Sequence, residues 1–232
     1  MESSKTDHPE RGWKNFESSS DAYVTVTGLL VLVIVLPILS QDSASVERVV
    51  TAAVVGATVT LTMAASRAPR WAINASWIIG IGALIVILIP DVSIDLRATA
   101  TAVLSIMMVS APFVILRRII RHEKVTATTI WGAIAAYLAF GIAFSLAYSA
   151  AAQLSPGAFS GMTTATLSDT NYFSFVTMTT LGYGDIAPVE NIPRALVVMQ
   201  TLIGQIYLVV VVARAVSLLG KPNARFRAQD NE

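Results

Sequence analysis

"VTMTTLGYGDIAP" (Val176–Pro188) is a backbone-rich stretch with two glycines, a tyrosine and little to pack, set between two long apolar runs. Before it, "NYFSFVTMTT" is short, aromatic and apolar enough to form a helix, with Ser168, Asp169 or Thr170 as N-cap. Earlier still, "SPGAFSGMTTATLSD" is rich in Gly, Ser and Thr, and "IAPVENIP" leads back out. The whole connection, Gln153 to Asn191, is too long for a simple turn. A half-helix followed by an irregular return reads as a re-entrant loop. Irregular backbone at membrane depth survives only where protein buries it or where it lines a water-filled path, so this segment is expected to line a pore.

The composition supports a membrane setting. Of 232 residues, 54% are hydrophobic and only 13% charged, against about a quarter charged in an ordinary soluble domain. Roughly 20 apolar residues span a hydrocarbon core, and six such runs can be drawn: Tyr23–Leu39, Val46–Ala65, Trp71–Ile89, Thr99–Ile120, Thr126–Ala152 and Ile192–Leu219. The second and fourth are rich in small residues that let membrane helices approach closely. The net charge of +1 gives no sign of a nucleic-acid surface, and the absence of cysteine excludes disulfides and thiolate metal sites. No catalytic carboxylate pair, nucleophile elbow or metal cluster is visible, so neither an enzyme nor a cofactor is expected.

Lys and Arg concentrate in short cytoplasmic loops. Arg67 and Arg70 follow span two, Arg117, Arg118, Arg121 and Lys124 follow span four, and Arg214, Lys221, Arg225 and Arg227 lie at or after the end of span six. The remaining loops are acidic or nearly uncharged. Six spans with both termini cytoplasmic satisfy this alternation. The polar residues 1–21 are too long and too acidic for a signal-peptide n-region. The division is then a cytoplasmic segment 1–21, a four-helix membrane domain 22–120, a pore domain 121–220 and a short cytoplasmic tail 221–232. No internal repeat of the kind that builds many transporters is visible.

"TTLGYGD" resembles the selectivity filter of potassium channels, usually Thr-Val-Gly-Tyr-Gly-Asp, with Leu181 in the valine position. With "FSFVTMTTLGYGDIAP" and "GQIYLVVVVARAV" around it, residues 126–220 resemble the pore of the bacterial potassium-channel family; spans one to four lie outside the resemblance. The implied fold is an all-α membrane protein of six helices with a re-entrant pore helix and filter between helices five and six. The implied function is passive, potassium-selective conduction through a homotetramer in a bacterial plasma membrane.

A potassium ion sheds water to pass such a filter, and backbone carbonyls replace that water. Gly182 and Gly184 suit the alternating dihedrals this requires. By the resemblance, the carbonyls of Thr180, Leu181, Gly182 and Tyr183, with the Thr180 hydroxyl, hold K+, the permeant ion; Gly184 ends the row and Asp185 lies at the outer mouth. Leucine for valine keeps the carbonyl and alters only packing behind it. Some relatives pair that aspartate with an acidic residue where this chain has Val176, so support is expected from Tyr172 and Phe173 against Tyr183, with Thr179 beneath the filter. The short helix would aim the negative end of its dipole at a central cavity.

In span six, Gly204 is the expected hinge or gate, Gln200 or Gln205 faces the cavity or the pore helix, and Arg214 rings the inner mouth or reaches the interface. A voltage sensor needs several arginines moving in one helix, each worth about 2.3 kcal/mol per 100 mV. The fourth span holds none before Arg117 and Arg118, so strong voltage gating is not expected. Arg117, Arg118, Arg121 and Lys124 are candidates for anionic lipid. Two other readings share the fold class: a potassium-translocating subunit dependent on a regulatory protein, and a non-conducting scaffold.

Overall fold

The computed structural model describes residues 10–39, 56, 70–89, 92–121, 127–162 and 166–219. Every expected apolar run within them is helical. Helix α1 is Glu10–Leu39, α2 Arg70–Leu88, α3 Ile94–Arg121, α4 Ala127–Leu154, α5 Leu167–Met178 and α6 Asn191–Leu219. Two two-residue strands, β1 (Phe159–Ser160) and β2 (Ala187–Pro188), pair antiparallel. The expected span Val46–Ala65 lies outside the described residues apart from Gly56, which is helical.

Two boundaries differ from the hydropathy reading for physical reasons. Helix α1 begins at Glu10, because polar residues continue a helix that hydropathy divides at Tyr23. Helix α3 begins at Ile94, where the Ser93 hydroxyl accepts the Leu96 N–H at 3.4 Å and Asp95 sits in the first turn. Arg97, which precedes the expected span Thr99–Ile120, is therefore inside α3. Among the described residues, Thr129–Leu154 and Asn191–Val211 are long and apolar enough to cross a membrane, and Val24–Leu39 is a shorter apolar helix.

Helix α4 is the hub, in contact with α1, α3, α5 and α6. Its buried Ala133, Ala135, Ala136, Ala139 and Ala143 offer almost no side-chain bulk, so neighbouring backbones come close. The Ser105 hydroxyl of α3 donates to the Ala143 carbonyl at 2.8 Å, and the Tyr207 hydroxyl of α6 donates to the Ala133 carbonyl at 2.6 Å. One apolar core joins Val26, Leu30 and Val33 of α1 with Leu104 and Met108 of α3, Phe140 and Ile142 of α4, Met178 of α5 and Tyr207 of α6. A second, of Phe144, Tyr148, Ala158, Phe159 and Phe173, lies under β1.

Helix α5 packs tightly on α4 at Gly141, where any Cβ would enter the Phe175 ring. The Ser174 hydroxyl also donates to the Gly141 carbonyl at 2.6 Å. Gly141→Ala is therefore expected to destabilise the protein by about 1–3 kcal/mol, the usual range for overpacking. Thermal unfolding in detergent measures this, and Phe175→Leu in the same chain should recover part of the loss.

Candidate functional site

Helix α5 is capped by Thr166, whose backbone is extended (φ −74, ψ 152) and whose side-chain oxygen accepts the Asp169 N–H at 3.1 Å. The cap is thus Thr166 rather than Ser168, Asp169 or Thr170, which fall inside the first turn. There Asp169 complements the positive end of the helix dipole, and the Thr170 hydroxyl turns back to the Thr166 and Leu167 carbonyls.

At the other end, Thr179 is the C-cap and the chain leaves the helix through an unusual turn. Thr180, Gly182 and Gly184 have φ of +59, +56 and +81, whereas Leu181 and Tyr183 between them do not enter the positive region. Thr180 is the one positive-φ residue among those described that is not glycine, and a β-branched side chain resists that conformation. The turn is held by its amides. The Thr180 N–H donates to the Thr177 carbonyl at 3.0 Å, and those of Leu181 and Gly182 both donate to the Val176 carbonyl at 3.0 and 3.3 Å.

Every described peptide is free of the cis form, and a trans peptide holds its C=O opposite its N–H. The Leu181 and Gly182 amides face α5. Hence the carbonyls of Thr180 and Leu181 point away from the helix, on one side of the chain. Val176, whose side chain cannot pair with Asp185, contributes its carbonyl instead. The Thr180 hydroxyl donates to the Thr179 carbonyl at 2.7 Å, and that of Thr179 to Phe175 at 2.7 Å.

Tyr172 faces the turn. Its ring stacks on Tyr183 with centroids 6.4 Å apart and planes inclined by 2°, and its hydroxyl donates to Asp185 Oδ2 at 2.7 Å. That bond holds the Asp185 carboxyl below its ordinary pKa. Phe173, expected beside Tyr183, points elsewhere. Adjacent helical residues differ by about 100° in direction, and Phe173 makes edge contacts with Tyr148 at 4.9 Å and Phe159 at 5.4 Å.

Beyond Asp185, β2 pairs with β1, and the Val189 N–H donates to the Ala158 carbonyl at 2.9 Å. Gly161, at φ +79, lies so near the Asp185 carbonyl that no Cβ fits. The Ser155 hydroxyl donates to Glu190 at 2.6 Å. The exit from the turn is therefore fastened to the segment that enters α5.

Behind the turn is a buried polar network that the sequence reading reached only at Gln200. The Tyr148 hydroxyl donates to Gln200 Oε1 at 2.6 Å, and Gln200 Nε2 donates to the Ser174 hydroxyl and carbonyl at 2.7 and 3.0 Å. It joins α4, α5 and α6. A tyrosine and a serine in apolar helices were the available signals, but their partners are 52 and 26 residues distant. Gln205 is exposed. Gly204 sits where a Cβ would come within 3.2 Å of Met178 Cγ and 3.4 Å of its carbonyl, so α6 leans on the end of α5 here. Arg214 is half-buried near the end of α6. Arg117, Arg118 and Arg121 belong to α3, although their side chains are outside the description, and Lys124 lies outside the described residues.

No curated protein and no solved structure gives a significant match to the chain. Residues 132–221, which contain most of α4, the connection with α5 and its turn, and α6, match the model of a family described as "Ion channel".

Proposed function

We propose that the protein is a potassium-selective channel that conducts passively through a homotetrameric pore. The carrying observation is the TLGYG turn itself: φ is positive at Thr180, Gly182 and Gly184, and the Thr180 and Leu181 carbonyls face away from α5. A cage for a dehydrated cation is made from such rings of carbonyls, with four loops completing it. The ion-channel match over the same residues supports this reading.

The tetramer is supported by what the single chain leaves uncovered. Among the described residues, the apolar stretch of α4 is 61% buried and that of α6 only 17%. Val198, Leu202, Ile206 and Val209 are exposed along α6, as are Leu181 and Tyr183 in the turn. Neighbouring copies would cover this surface and bring four rows of carbonyls together. Gln205 is then a candidate for the cavity wall. Gly204 is the candidate hinge, where bending would part α6 from Met178, and Arg214 marks the inner mouth.

In this reading the protein spans a bacterial plasma membrane six times with both termini cytoplasmic, in keeping with the loop charges. Helix α5 is re-entrant and Asp185 faces outward. Arg117, Arg118, Arg121 and Lys124 would meet anionic lipid. The described α3 carries arginines near its two ends, with none between Arg97 and Arg117, so strong voltage gating by a moving fourth helix is not expected.

Potassium flux from liposomes holding the purified protein, with sodium as control, tests the proposal. Potassium should pass well ahead of sodium. Equal permeation overturns selectivity, and no flux from intact tetramers favours the scaffold or partner-dependent reading. Gly182→Ala meets no neighbouring atom but takes an L-residue to φ +56, which costs about 1–2 kcal/mol in each subunit. Flux should fall at least about tenfold, since roughly 1.4 kcal/mol is already a factor of ten.

Tyr172→Phe removes the hydroxyl bonded to Asp185. Because the native pKa of Asp185 is lowered, the stabilisation from this bond is present above the ordinary carboxylate pKa and is lost as pH falls through the lowered value. Without the hydroxyl, any acid loss of flux should begin at higher pH. A flux titration from about pH 6 to 3, across the carboxylate range, measures the difference.

A further inference from the structure

Pro37 lies inside α1 and has no N–H to donate. In an α-helix each N–H bonds the carbonyl four residues earlier, so Pro37 deprives the Val33 carbonyl of its partner. The vacancy is filled from another helix. Asn171 Nδ2 of α5 donates to the Val33 carbonyl at 3.2 Å, across 138 residues of sequence.

Both residues are buried, Val33 at 3% exposure and Asn171 at 2%. Val26, Leu30, Val33 and Pro37 form one buried stripe along α1, and the first three enter the same core as Met178 at the end of α5. The open carbonyl therefore lies on the face by which α1 packs. Each group alone is a liability, since a buried donor or acceptor without a partner costs more than a hydrogen bond returns. The two cancel only when α1 and α5 are in register.

Asn171 precedes Tyr172, which holds Asp185 and stacks on Tyr183. Three residues on, Ser174 joins the Gln200 network. A movement of α5 that breaks the Val33 bond thus displaces the wall of the turn. We propose that α1 is a positioning element for the filter, acting through the Val33 carbonyl that Pro37 leaves open and the Asn171 amide that fills it. This rests on the channel reading above. Helix α1 begins at Glu10, so it offers a direct route from the N-terminal side of the chain to the ion path.

The test compares Asn171→Leu, Pro37→Ala and the double variant, as full-length protein in liposomes. The first leaves the Val33 carbonyl bare, and the second restores an N–H within α1 and strands the Asn171 amide. The double removes both liabilities. The readout is the potassium-to-sodium flux ratio per assembled tetramer, which a merely structural contact would leave unchanged. Each single variant should lower the ratio about three- to tenfold, as expected for one buried hydrogen bond. The double should return to within about twofold of the wild type, the usual limit of additivity error.

Single variants with the wild-type ratio overturn the proposal, as does a double whose loss is the product of the two. If a single variant fails to assemble, recovery of tetramer in the double supports the link, and failure of the double overturns it. A wild type that passes no potassium overturns the channel reading and this one with it. A conducting wild type with unchanged variants overturns this one alone.

Discussion

A backbone carbonyl turned away from the protein's own donors must find another partner, and in the TLGYG turn this constraint organises everything around it. The end of α5 accepts the amides of Thr180, Leu181 and Gly182. With the Leu181 and Gly182 donors spent on the helix, the carbonyls that share those peptides, of Thr180 and Leu181, lie on the far side, away from α5. Satisfying the helix end and presenting the carbonyls are one geometric event. The residue types follow in part: glycine at two of the three positive-φ positions, Gly182 and Gly184, and a helix that stops where its last carbonyls meet the turn.

Such a turn needs a stiff wall, and the wall is polar as well as apolar. Tyr172 grips Asp185 and lies flat on Tyr183, while Gln200, Ser174 and Tyr148 lock the helices behind it through short buried hydrogen bonds. Buried polar networks of this kind fix orientation because any shift leaves a group unpaired. The apolar contacts set distance instead: Gly141 admits Phe175, and Gly204 admits Met178. Together they leave α5 little freedom to slide or rotate.

The turn was legible in the sequence because its chemistry is local. Two glycines spaced by one residue, with threonines before and aspartate after, describe a backbone that needs no knowledge of the rest of the chain. The helices were legible from their hydropathy, although Glu10–Asp21 escaped because polarity does not end a helix. What could not be read was direction. Tyr172 and Phe173 are adjacent and chemically alike, yet one supports the turn and the other joins Tyr148 and Phe159. Thr166 was overlooked as the cap because several neighbours offer the same oxygen. The Asn171 bond to Val33 was beyond reach, since Pro37 shows which carbonyl is open but not which distant donor arrives.

Thr180 carries a further meaning. A β-branched residue at φ +59 is held against its own preference, at a cost on the order of 1–3 kcal/mol. In a channel of four copies that strain is multiplied around one axis. Whatever binds the carbonyls opposes it, and a ligand that binds only the native form stabilises that form by mass action. Under the proposed function the permeant ion is therefore also a structural ligand, and its concentration becomes a thermodynamic variable of the fold. The passage of cargo and the maintenance of shape would then share a single equilibrium.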